Sequence, residues 1–159
     1  MPKYLALIVV VGLVGGTGCG VTRTKQGLTK AQFIAHADAI CRTEDVKLAY
    51  IEQRAAALEG ASIASFRSVP RLIRKASAIQ ETANLKLESL PEPPGETKTI
   101  GRWLTARIVA ATIALDAAEA PSGRDLIAAN DLQRQLAIAN ASAHDLSRSY
   151  GFAVCGATE

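Results

Sequence analysis

The stretch from Leu28 to Leu58 constrains this chain most, because it reads as one long amphipathic helix with both ends marked. Thr29 stands at the N-cap position with Gln32 three residues on, the spacing of a capping box, and Leu28 and Phe33 flank them as a hydrophobic staple. Ile34, Ala37, Cys41, Leu48, Ile51, Ala55 and Leu58 then recur at helical spacing and form one apolar stripe. Gly60 supplies a left-handed stop. A stripe of this length is stable in water only if other elements cover it, so the rest of the chain must provide them.

It does so with three more amphipathic segments. Residues 61–67 change phase, and from Val69 the apolar set is Leu72, Ala76, Ile79, Ala83, Leu87 and Leu90, close to a heptad seam, with Pro70 in the first turn. Pro91, Pro93 and Pro94 end that helix. A third helix beginning near Gly95 or Glu96 turns Ile100, Leu104, Ile108, Ala111, Leu115 and Ala118 inward, and Pro121 closes it. Ser122 and Asp125 form an acidic variant of the capping box for a fourth helix, whose stripe is Ala129, Leu132, Leu136, Ala139, Ala143, Leu146 and Tyr150 before Gly151. Aromatic residues make up only 4% of the chain, and no strand-type run follows residue 20, which favours closely packed, alanine-rich helices. The expected fold is all-α, an up-down-up-down four-helix bundle over residues 29–156.

Ahead of the bundle, residues 1–18 have the parts of a secretory signal. Lys3 is the positive start, Leu5 to Val14 the apolar core, and Gly15 to Gly18 a small-residue cleavage region. A glycine-rich phosphate loop is excluded by spacing, since Val21 stands where a third glycine is needed. The competing readings are plain secretion and an uncleaved anchor helix, though the apolar run reaches spanning length only by including the glycines. Gly16-Thr17-Gly18-Cys19 resembles the lipobox of bacterial lipoproteins, with Gly16 where a leucine-like residue is usual. That resemblance implies a cleavable lipoprotein-type signal, lipidation of Cys19, and residues 19–28 as lipidated cysteine and tether. The formal net charge is +3, and +2 once Lys3 leaves with the signal, a balance that argues against a nucleic-acid partner.

Export also governs the cysteines. With Cys19 taken by lipid, Cys41 and Cys155 remain, in a compartment where disulfides persist. Cys41 lies roughly 18 Å along the first helix. Gly151 lets the chain reverse, and residues 152–155, extended at about 3.3 Å each, cover most of that distance. A Cys41–Cys155 disulfide is therefore expected. Beyond the signal, Ala37-Asp38-Ala39-Ile40-Cys41, Leu90-Pro91-Glu92-Pro93-Pro94, Trp103-Leu104, Ser149-Tyr150-Gly151-Phe152 and Cys155-Gly156 resemble small extracytoplasmic helical lipoproteins of high-GC Gram-positive bacteria. The resemblance implies location at the outer face of the cell membrane and a helical fold, with no activity attached.

Motifs for chemistry are missing: no Cys-x-x-Cys, His-Glu-x-x-His, Gly-x-Ser-x-Gly or Walker loop occurs. No set of acid, base and nucleophile can be assembled, so the chain is read as non-enzymatic. Glu44 and Arg107 fall on the apolar faces of the first and third helices, about 15 and 12 residues from their starts. In parallel helices that places them near one level, as a core ion pair. Asn140 reads as a register-setting polar residue turned inward on the fourth helix. Arg67, Arg71 and Arg74 form an outward patch at the end far from the anchor, suited to an anionic wall polymer if it binds anything, with a solvated face as the alternative. His36 and His144 lie near one bundle end but off their stripes, and no tetrahedral ligand set completes them, so no metal site is expected. Two functions remain in view. One is a lipid-anchored interaction or envelope-accessory module whose partner is another envelope protein or a wall polymer. The other is a carrier of a small ligand, haem or metal in the bundle interior. An exposed apolar groove favours the first; an internal pocket converging on Glu44 and Arg107 favours the second.

Overall fold

A computed structural model of the chain describes residues 27–58, 68–119 and 126–156. The signal at 1–18, Cys19, Gly60, Arg67, Pro121 and the Ser122–Asp125 cap lie outside the described residues. The described chain is all-α: α1 Lys30–Ala56, α2 Val69–Glu88, α3 Thr97–Glu119 and α4 Leu126–Tyr150. It forms a four-helix bundle in which each helix packs on the next in sequence, α1 on α2, α2 on α3 and α3 on α4. None of the described helices is long and apolar enough to cross a membrane.

Local chemistry explains the helix ends. The Thr29 Oγ1 accepts the Gln32 N–H at 3.2 Å, and the Thr29 N–H donates to Gln32 Oε1 at 3.0 Å, so two orphan donors are satisfied reciprocally. Ser68 precedes α2 in helical conformation and makes no side-chain capping bond. Gly95, at φ +81°, turns the proline-rich link into α3. At the end of α4, Gly151 takes φ +103°, its N–H reaches the Arg148 carbonyl at 3.1 Å, and the Phe152 N–H reaches Ser147 at 3.1 Å. That is a Schellman stop, and it redirects the last residues back along the bundle.

The core gathers at the end where α1 and α3 begin and α4 finishes. Phe33, Trp103, Tyr150 and Phe152 form one aromatic cluster, with ring centroids 4.3 Å apart for Trp103–Phe152 and 4.9 Å for Tyr150–Phe152. Lys30 lies 4.0 Å from Glu96 and 4.3 Å from the centre of the Tyr150 ring, tying the same end together. The inward faces follow the expected stripes except at a few positions. Phe33 is fully buried where Ile34 is only partly so, and Ala55 is exposed. On α3 the buried set is Ile100, Trp103, Leu104 and Ala110, while Ile108 is 40% exposed. Bulk decides this: the indole can be buried only if α3 turns its 103 side inward, which swings Ile108 out.

Candidate functional site

The tail after Gly151 sits between α1 and α4. Phe152 packs against Phe33 of α1 and Trp103 of α3, and Gly156 lies so close to Ser147 of α4 that a side chain there would crowd it. Cys155 is bonded to Cys41 across 114 positions of chain, with Cα atoms 5.3 Å apart. Asp38, one turn before Cys41, is buried and holds this tail. Its Oδ1 accepts the Val154 and Cys155 N–H groups at 2.9 and 3.0 Å, and its Oδ2 accepts that of Ala153 at 3.0 Å. Three consecutive backbone donors converging on one carboxylate form an anion cradle occupied by the protein's own side chain. Sequence reasoning missed Asp38. The signal available was its place three residues before a disulfide cysteine, on the same helical face.

Beneath the disulfide lies a cleft of about 300 Å³ reached by all four helices. At its centre the Arg107 Nη2 donates to Glu44 Oε2 at 2.6 Å, and the Arg107 Nε donates to Asn84 Oδ1 at 2.9 Å. The side chains of Arg107 and Glu44 are 16% and 5% exposed. Arg107 is further placed by the Trp103 ring, 5.6 Å from the guanidinium carbon. Burial raises the Glu44 carboxyl above its ordinary range, and the charge and hydrogen bond of Arg107 oppose that rise. His144 lines the same cleft with Nδ1 buried and without a hydrogen-bond partner among the described residues. Asn140 also lines it but is exposed, contrary to the inward register role expected, because α4 is turned to bury Ala139 and Ser147. The arrangement can hold a small polar molecule against a paired charge.

The remaining expected site residues are scattered. His36 is exposed and lines a separate cleft between α1 and α2, so the two histidines do not converge. Among the described residues no group of three or more His, Cys, Asp or Glu is placed to hold a metal. Arg71 and Arg74 are both exposed at the start of α2, and Arg71 shares a small cleft with Arg54 of α1 and Lys75 rather than with Arg74. A second, larger feature runs along α3 and α4. It is an open groove of about 870 Å³ with Val109 and Ile138 on it, 44% and 65% exposed. Nothing in the sequence pattern marked it, since Ile138 lies off the α4 stripe and Val109 off that of α3. No family model, curated protein or solved structure matches the chain.

Proposed function

We propose that the chain is an extracytoplasmic lipoprotein, anchored to the cell membrane through Cys19, whose helical domain acts as a non-enzymatic binding module of the envelope. The observation that carries this reading is the open groove along α3 and α4, where large apolar side chains stay exposed on a domain whose core is otherwise closed by a disulfide and a clamped tail. An open cleft of about 870 Å³ with large apolar side chains on its wall supports a docking role for this face. The lipobox-like Gly16 to Cys19 and the persistence of a disulfide agree with the outer face of a membrane. Cys19→Ala should abolish fatty-acid labelling and release the protein from the membrane fraction. Unlabelled protein retained in the membrane would mean an uncleaved helix holds it.

A second reading, a carrier of a small polar ligand, has one observation in its favour. The Glu44–Arg107–Asn84 cleft includes a buried His144 nitrogen with no partner among the described residues. Native mass spectrometry of protein purified from its own membrane separates the two. A retained small polar molecule lost on Arg107→Ala would favour the carrier.

A further inference from the structure

The groove on α3 and α4 segregates its polarity along its length. Ala106, Val109, Ile113 and Ile138 form an apolar run, while the only formal charges among its described lining residues, Lys98 and Arg102, lie at one end. No carboxylate lines it, and both cations are exposed and without an ion pair among the described residues. The hydroxyl of Thr105 is already satisfied by the Gly101 carbonyl at 2.8 Å. From Lys98 to Ile113 the groove runs about 22 Å, longer than the roughly 15 Å of one leaflet's hydrocarbon.

The cationic end is also the end where the chain enters the domain. Lys30 reaches Glu96 there, and the backbone at Gly27 abuts the Glu92 carbonyl so closely that no side chain would fit. Only residues 20–26 separate Gly27 from Cys19, a reach of at most about 28 Å. With its phosphate held at the cationic, membrane-side end, a lipid fits this groove by turning one acyl chain out of the leaflet and along the apolar wall, away from the bilayer.

We propose that this groove takes up the acyl chain of an anionic phospholipid from the leaflet, with Lys98 and Arg102 holding its phosphate. The proposal rests on the reading that Cys19 tethers the domain beside that leaflet. Its test uses the full chain in dodecyl maltoside with phosphatidylglycerol carrying a photoactivatable palmitoyl chain, and cross-links mapped by mass spectrometry. Label is expected on Val109, Ile113 and Ile138. Val109→Asp with Ile138→Asp, at exposed positions that leave the circular dichroism unchanged, should abolish it. Lys98→Gln with Arg102→Gln should lower the preference over a phosphatidylcholine probe by about tenfold or more.

Label absent from the groove, or confined to the exposed Val46 and Tyr50 of α1, overturns the proposal. So does equal labelling by both lipids, or a co-purifying polypeptide that shields the groove. Fatty-acid labelling of Cys19, read on the same sample, separates the two readings. Acylated Cys19 with an unlabelled groove sinks the lipid site alone, whereas unmodified Cys19 with a labelled groove supports the site and sinks the anchor.

Discussion

Asp38 and Glu44 are both buried carboxylates of α1, yet they are stabilised in different ways. Asp38 accepts three backbone N–H groups and Glu44 faces a cation. Asp38→Ala orphans all three tail donors and should cost at least about 3 kcal/mol in urea unfolding, with Asp38→Asn intermediate because one acceptor oxygen remains. Removing Arg107 leaves the less exposed partner uncompensated, so Arg107→Ala should cost roughly 3–5 kcal/mol. Glu44→Ala should cost less, since Arg107 can swing toward water. Equal and negligible losses would mean that the pair is solvated. Tyr150 provides the contrast: its hydroxyl is buried without a hydrogen-bond partner among the described residues. Tyr150→Phe should therefore change stability by no more than about 1 kcal/mol, because no bond is lost.

At the scale of elements, the five residues after Gly151 behave as a fifth packing unit. They join α1 to α4 through Phe152, the disulfide and the Asp38 cradle, beside the direct contacts that Phe33 and Lys30 make with Tyr150. Phe152→Ala should cost about 3–5 kcal/mol, the usual penalty for removing a buried aromatic ring. Opening the Cys41–Cys155 loop by a double serine substitution should cost about 4–5 kcal/mol by the chain-entropy argument, and less if Asp38 keeps the tail in place. The two effects should not add, because they act on one segment; a double-mutant cycle combining Phe152→Ala with the serine pair measures the coupling.

For the whole molecule, two raised acids make stability depend on pH in the same direction. The folded state holds the Glu44 proton more tightly than the unfolded chain does, so this group's contribution falls as pH rises from 4.5 through its raised folded value. The difference in unfolding free energy between wild type and Glu44→Gln should shrink across that range; a difference that grows with pH would reverse the assignment. Burial, with smaller contributions from Glu96 and Glu92, pushes Tyr150 up to about 12. Its contribution is intact below pH 10 and is lost toward pH 12, so Tyr150→Phe should resist alkaline unfolding better than wild type.

The helices, their order and their alternating direction were legible in the sequence, because capping residues, prolines and a 3.6-residue apolar period are local properties. Cys41–Cys155 and the level of Glu44 with Arg107 were legible too, since short connections leave few ways to pack four helices. What the tertiary structure alone decided is rotation about the helix axes. Which of several apolar neighbours points inward depends on which shapes interlock, and Trp103 took the place that periodicity assigned beside Ile108. That choice swings Ile108 outward on α3 and exposes Asn140 on α4. The role of Asp38 was equally invisible, because its partners are backbone N–H groups 115–117 positions away, and a main chain carries no residue-specific mark in the sequence.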